Sequence, residues 1–333
     1  MADLGALAGG GLTLPDALRV IAGEGTAEAR RAVMLSVREQ LLGGASLSSA
    51  LDELDIGCAP FEIAALASGE RSGELAPLLE ELAVLLEQQC SVRERVLSAM
   101  LYPSLVFLLG IVVAVLMLGI LVPRTAEMVE GTQVELPALT RAMVATGRSA
   151  PLAVGVALLA GCGVWLRFRR MDSEQRSARI DRALLRIPVL GAARLQLCAM
   201  RLCNTLAMLL RGGVPLVDAL TLAGTASGSA STAAQLKQRT VEVRDGGRVS
   251  DALGALSPMG PLLVEWARIG ESGGNLEDVL RTASARFSIH WERRVSRMLA
   301  LLEPTLILII GAFVLLVALS VLLPVLSLSR SVG

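Results

Sequence analysis

Aromatic, histidine and lysine side chains are scarce in this chain of 333 residues. Phe, Trp and Tyr make up 3% of it, and it has one histidine, His290, and one lysine, Lys237. A P-loop needs a lysine behind a glycine-rich loop, and no such loop surrounds Lys237. The HExxH and GxGxxG motifs are also absent. These absences exclude the enzyme classes that depend on those motifs, and we expect a protein that is not an enzyme.

Cysteine provides no metal site either. The chain has five cysteines, and no two of them form a CxxC pair. Without a second pair or a nearby histidine, these thiols cannot supply the ligands of a zinc site. We interpret them as reduced packing residues and predict no metal, no cofactor and no nucleic-acid partner.

Charge is missing from three long apolar runs, at residues 104–122, 151–166 and 305–323. Overall, 53% of the residues are hydrophobic and the mean hydropathy is +0.61. A membrane-spanning helix needs about 20 mostly apolar residues. We therefore predict transmembrane helices at residues 101–123, 149–167 and 303–326. The middle run is short, and a buried helix of a soluble domain is the alternative interpretation of it.

Arginine placement predicts the orientation of these spans. Five arginines follow the second run closely, and four precede the third. Because positively charged residues favour the cytoplasmic side, we expect residues 1–100 and 168–302 to be cytoplasmic. The loop 124–148 and the tail 327–333 are then extracytoplasmic, which places the C-terminus in the periplasm.

The sequence also repeats itself. Gly10–Leu18 reappears at Gly212–Leu220, 202 residues later, and Gly69–Leu75 reappears at Gly270–Leu276, 201 residues later. Periodic apolar residues broken by glycine, proline and serine predict short helices in both copies, and alternating β-branched runs are absent. The predicted fold is all-α: two repeated cytoplasmic helical bundles, residues 1–100 and 168–302, plus three transmembrane helices.

Two short motifs recur in both copies and are the candidate site residues, with a structural or a partner-contact role. We expect the first glycine of each Gly-Glu-x-x-Gly motif to end a helix, the glutamate to accept hydrogen bonds from nearby backbone amides, and Asn275 to cap the next helix. The second motif is the proline at each membrane entry, where a continuous or kinked helix joins bundle to lipid. The candidates are Gly69, Glu70, Gly73, Gly270, Glu271, Gly274, Tyr102, Pro103, Glu303 and Pro304.

The net charge of zero hides an asymmetry between the copies. Residues 1–100 hold 15 acidic and 7 basic side chains, whereas residues 167–303 hold 13 acidic and 20 basic ones. Arginines beside the membrane explain part of this difference. The alternative is that the two cytoplasmic modules use oppositely charged faces, toward each other or toward different partners.

The repeated sequence around Leu206–Leu220, the segment Gly270–Leu276 and the Tyr-Pro and Glu-Pro membrane entries resemble the type II secretion system F family. These GspF/PilC proteins are inner-membrane platforms of type II secretion and type IV pilus machines. The resemblance implies a homo-oligomer in the bacterial inner membrane that couples a cytoplasmic secretion or pilus ATPase to the assembly of pilin-like subunits. It also implies contacts with other inner-membrane platform components and with membrane lipid. Family members usually carry a further segment before the first bundle, so we expect this bundle to be N-terminally short.

Two other classes of function stay open. A transporter or channel is the main alternative for a repeat-built membrane protein, although polar residues would be expected within its spans. A membrane enzyme would need a cluster of catalytic residues near the cytoplasmic face. These motifs do not distinguish a protein of type II secretion from a protein of type IV pilus assembly.

Overall fold

The computed structural model describes residues 2–23, 27–121 and 188–331, together with the single residues 124, 145, 159, 160 and 163. Within these residues the chain is helical and has no β-strand, so the all-α prediction is confirmed. Most of the predicted second span and of the loop before it lies outside the described residues.

The described helices repeat in the same order. In the first copy they are α1 (Ala2–Gly9), α2 (Leu14–Ile21), α3 (Glu28–Leu42), α4 (Leu47–Glu53), α5 (Pro60–Ser72) and α6 (Leu75–Leu116), which a π-helical turn (Met117–Leu121) continues. In the second copy they are α7 (Pro188–Arg211), α8 (Leu216–Ala226), α9 (Ala230–Arg244), α10 (Val249–Gly254), α11 (Gly260–Gly273) and α12 (Leu276–Ser331).

Between α3 and α5, the first copy has one residue more than the second copy has between α9 and α11. Helices α3 and α9 are both 15 residues long and begin 202 residues apart. Pro60 and Pro261, in the first turns of α5 and α11, are 201 residues apart. The loop between α4 and α5 is therefore one residue longer than the loop between α10 and α11, which explains the two offsets found in the sequence.

The described residues divide into two compact units. One unit comprises those within Met1–Arg93 and Ser173–Arg294, and the other comprises those within Glu94–Asp172 and Val295–Gly333. In the first unit the two copies share a hydrophobic core, which includes Leu66 and Leu79 of the first copy and Leu206 and Leu220 of the second, all fully buried. Burial of such side chains, each contributing about 1.5–3 kcal/mol, stabilises both copies together.

The second unit contains the apolar parts of α6 and α12. Gly110 of α6 packs against Ile310 of α12, where an added Cβ would lie 3.1 Å from the Ile310 Cδ1 atom. Leu105, Leu108 and Leu308 are each more than 60% exposed on these helices. Both helices are long and apolar enough to cross a membrane, over Leu75–Leu116 and Leu276–Ser320.

Candidate functional site

Glu70 connects the end of α5 to the start of α4. Its carboxylate accepts hydrogen bonds from the Leu47 N–H, from the Ser48 N–H at 3.4 Å and from the Ser48 hydroxyl at 2.5 Å. Leu47 and Ser48 are the first two residues of α4, whose amides have no partner within the helix. A glutamate 22 residues away in sequence thus caps this helix.

Glu271 makes the same contacts in the second copy. Its carboxylate accepts from the Val249 N–H at 2.9 Å, the Ser250 N–H at 3.3 Å and the Ser250 hydroxyl at 2.6 Å. Val249 and Ser250 begin α10. The positive end of the α10 dipole favours a negative charge at this place. Both the hydrogen bonds and the dipole therefore stabilise the Glu271 carboxylate.

The surroundings of Glu271 shift its acidity. Partial burial opposes ionisation, but the hydrogen bonds from the Ser250 hydroxyl and from the Val249 and Ser250 amides outweigh it, and the Arg248 charge adds to them. The net effect lowers the pKa of Glu271 below its ordinary value. At neutral pH its carboxylate is therefore ionised and acts as a hydrogen-bond acceptor.

The first glycine of each motif does not end a helix, and that part of the prediction was wrong. Gly69 lies within α5 and Gly270 within α11, and both are buried. A Cβ on Gly69 would lie 2.7 Å from the Leu78 Cδ2 atom, and one on Gly270 would lie 2.9 Å from the Leu276 Cα atom. Glycine is needed here because the following helix approaches closely.

The last glycine of each motif ends the helix instead. Gly73 follows α5 with φ +76°, and Gly274 follows α11 with φ +66°, both in the left-handed region that glycine adopts most readily. The predicted cap at Asn275 is confirmed, since its Oδ1 accepts from the Asp278 N–H at 3.4 Å. The motif therefore forms a turn between two closely packed helices.

The membrane-entry residues lie in the interior of the two long helices. α6 continues through Tyr102 and Pro103, and α12 continues through Glu303 and Pro304, so neither proline ends its helix. In both copies the next residue has a hydroxyl that donates to the carbonyl four residues earlier: Ser104 to Met100 and Thr305 to Leu301, each at 2.7 Å. Each proline removes the helical hydrogen bond to the carbonyl four residues before it, and these hydroxyls bond the next carbonyl along the helix.

The structure places these candidates in two groups, and sequence reasoning missed several of their partners. The Gly-Glu-x-x-Gly residues lie in the first unit, whereas Tyr102, Pro103, Glu303 and Pro304 lie in the second. Ser48 and Ser250 were missed, although they are 202 residues apart and both follow an apolar helix start. In the part of the chain that the structure describes, no group of three or more His, Cys, Asp or Glu side chains could hold a metal ion.

Comparisons with known proteins identify the family of the chain. The sequence matches the family described as "Type II secretion system (T2SS), protein F" twice, over residues 1–123 and 202–324, once for each copy. The chain is 29% identical to the type II secretion system protein F of Pseudomonas aeruginosa, over 99% of this chain and 82% of that one. It is 30% identical to the type 4 fimbrial assembly protein PilC of Pseudomonas putida (94% and 78%) and 29% identical to the type IV pilus assembly protein PilC of Thermus thermophilus (97% and 80%). Since both copies match the family over most of the chain, this protein belongs to the type II secretion system protein F family.

Proposed function

We propose that this protein is an inner-membrane platform of a type II secretion or type IV pilus machine. In this role it couples a cytoplasmic secretion ATPase to the assembly of pilin-like subunits, and so to protein export or pilus biogenesis. The observation that carries the proposal is the double family match, one for each copy of the repeat. The relatives are named for both kinds of machine at similar identity, and the proposal therefore covers both.

The proposed platform is a multi-pass membrane protein with most of its polar residues in the cytoplasm. The two long apolar helices support two of the three spans. We assign residues 1–100 and 168–302 to the cytoplasm, with residues 124–148 and the C-terminal tail in the periplasm. Cysteine accessibility to a membrane-impermeant thiol reagent at Ser329→Cys tests this topology, and labelling only after lysis would contradict it.

The proposed role of the Gly-Glu-x-x-Gly motifs is to hold the cytoplasmic surface that the ATPase and the other platform components contact. Glu70 and Glu271 each use both carboxylate oxygens on a neighbouring helix. This geometry supports an indirect contribution to partner binding, through the position of α4 and α10. The remaining candidates, Tyr102, Pro103, Glu303 and Pro304, are proposed to mark the positions where the continuous long helices enter lipid.

Affinity purification of the tagged chain from native membranes in mild detergent tests the proposed function. Recovery of a hexameric secretion ATPase together with pilin-like proteins is the expected result, and the identity of the pilin-like proteins separates secretion from pilus assembly. A tagged, unrelated multi-pass protein from the same membrane is the control. Substrate-dependent uptake by the purified chain in liposomes, without recovered partners, would contradict the proposal and favour a transporter.

A further inference from the structure

The two copies within one chain join through an interface that uses different surfaces on each side. The first copy contributes α5 and α6, and the second contributes α7 and α8. Buried Ser68 lies beside Gly213, and a Cβ on Gly212 would lie 3.0 Å from the Leu78 Cδ1 atom. Further along, the Asn204 side-chain amide donates to Gln88 Oε1 at 3.0 Å. This contact is head-to-tail, because the two copies do not present the same surface to each other.

Each copy therefore also has a surface equivalent to the one that the other copy uses in this interface, and that equivalent surface is exposed. By the repeat offset of 201, Ser68 and Gln88 correspond to Ile269 and Ile289 of the second copy. By the offset of 202, Gly212 and Gly213 correspond to Gly10 and Gly11 of the first copy. Ser68 is 4% exposed, whereas Ile269 is 56% and Ile289 is 45% exposed. The chain thus carries two exposed isoleucines at the positions where the internal interface has buried or hydrogen-bonded residues.

The opposite surface of the first copy is also exposed and apolar. At the internal interface, α5 of the first copy forms one wall of a cavity of about 650 Å³, and the second copy forms the other wall with residues that include Leu222, Lys237 and Arg244. The equivalent positions of the first copy are Val20, Leu35 and Leu42, which are 55%, 42% and 61% exposed. The basic residues that face water in the second copy are replaced by leucines in the first. Apolar clusters of this kind on a surface are typical of contact sites.

We propose that a second copy of this chain binds here, with the α11 and α12 surface of one chain (Ile269 and Ile289) on the α1 to α3 surface of its neighbour (Gly10, Gly11, Val20, Leu35 and Leu42). The contact repeats between chains the interface that already exists within each chain. Large apolar side chains then meet glycines, which permit close approach. A head-to-tail contact of this kind generates a ring if its rotation closes and a filament if it does not.

Charge supports the same pairing. The acidic excess of residues 1–100 and the basic excess of residues 167–303 bring opposite charges together when the second copy of one chain meets the first copy of the next. Locally, the exposed Arg268 and the partly exposed Asp16 correspond to Ala67 and Asp218, which line the same internal cavity. This inference assigns an interface to the homo-oligomer of the proposed function. It rests on the proposed function for its cellular setting, but the experiment that tests it does not measure secretion or pilus assembly.

Site-specific photo-crosslinking of the full-length chain in native membranes tests the contact. A benzophenone amino acid replaces Ile269 in a chain that is co-expressed with a differently tagged chain, and the same amino acid at Ile56 is the control. The expected result is an adduct between position 269 and residues 9–12 of the differently tagged chain, mapped by mass spectrometry, with none from position 56. Adducts confined to one chain, to position 269 of the neighbour or to an unrelated protein would overturn the proposal.

Charge substitution gives an independent measurement. The double variant Ile269→Glu, Ile289→Glu should reduce co-purification of the two tagged chains about tenfold, the loss expected when a central apolar contact is removed. Ile56→Glu, at an exposed isoleucine of the α4–α5 loop, should leave co-purification unchanged. Thermal unfolding in detergent verifies that each variant is folded. Undiminished co-purification of the folded double variant would rule out this interface.

Discussion

At the residue scale, the two equivalent glutamates differ in importance because their helices differ in local capping. α4 has a local cap, since the Ser46 hydroxyl accepts from the Ser49 N–H at 3.1 Å. At the start of α10, Arg248 occupies the cap position without a side-chain hydrogen bond, so Glu271 has no local cap beside it that corresponds to Ser46. The second copy therefore depends more strongly on its glutamate than the first.

Replacing each glutamate by alanine should reveal this difference. Glu271→Ala should destabilise the start of α10 by about 1–2 kcal/mol, the cost of losing a helix cap, and Glu70→Ala should destabilise α4 by about half as much. Hydrogen exchange of the two helices, measured by mass spectrometry on the full-length chain in detergent, gives both values. Equal losses of protection would contradict the assigned roles, and disappearance of the protein from the membrane would show a larger structural cost.

The lowered pKa of Glu271 predicts a dependence on pH. Because the folded-state pKa lies below the ordinary value of 4.5, the stabilisation is fully present above that value and is lost as the pH falls through the folded-state pKa. Protection of the Val249 and Ser250 amides, corrected for intrinsic exchange, should be constant near neutral pH and decline below about pH 4.5. The Glu271→Gln variant is the control and should lack this decline. A decline of the same size in both would assign it to another group.

Two adjacent glycines give a matched test of backbone conformation. Gly274 has φ +66°, whereas Gly273 is the last residue of α11 and has no neighbouring atom within 4 Å of an added Cβ. Gly274→Ala should therefore destabilise the protein by about 1 kcal/mol, while Gly273→Ala should be neutral or stabilise it by a few tenths. Thermal unfolding in detergent measures both variants. Similar effects of the two substitutions would show that the left-handed turn is not required.

At the element scale, Gly110 lies at a close contact between α6 and α12 in the second unit. Gly110→Leu places a side chain where Ile310 already lies, and it should cost about 1–3 kcal/mol, the usual penalty of overpacking. Gly311→Leu is the control, because an added Cβ there meets nothing within 4 Å. The half-life of the folded protein during heating in detergent gives the comparison. Rescue of Gly110→Leu by Ile310→Ala would assign the loss to this contact, and failure to rescue would contradict it.

The sequence predicts the elements better than their contacts. Glycine, proline and serine mark most of the turns, because backbone conformation and capping are local properties. The expected helix end at Gly69 and Gly270 was wrong because the need for glycine there comes from α6 and α12, which pack against those positions. The partners Ser48 and Ser250 were missed for a similar reason: more than 20 residues separate each from its glutamate. Contacts between helices depend on packing that periodicity alone does not describe.

At the scale of the whole molecule, the helical bundles of the two copies belong to one compact unit. Leu78 of α6 is 4% exposed and contacts Gly69 of its own copy and Gly212 of the other. Arg211 of the second copy pairs with Glu81 of the first at 3.7 Å and with Glu277 of its own copy at 3.9 Å. Sequence periodicity predicts each helical bundle but not the interface between them, because that interface depends on the complementary shapes of segments that are distant in sequence.

A cavity in the first copy should therefore weaken the second. Leu78→Ala should destabilise the protein by about 2–4 kcal/mol, as usual for a buried leucine, and should increase hydrogen exchange in α7 and α8 as well as in α5. Val84→Ala, at a 53% exposed position of the same helix, is the control and should change neither copy. Increased exchange restricted to the first copy would mean that the copies unfold independently.

The extra residue between α4 and α5 has a practical consequence for work in living cells. Ile56 and Gly57 are exposed in this loop, and the shorter loop of the second copy joins helices with the same glutamate contacts. Loop length therefore does not determine how α4 attaches to α5. A short fluorescent-dye tag inserted between Ile56 and Gly57 should leave the fold intact, and it would allow single molecules of the protein to be counted and tracked under the microscope.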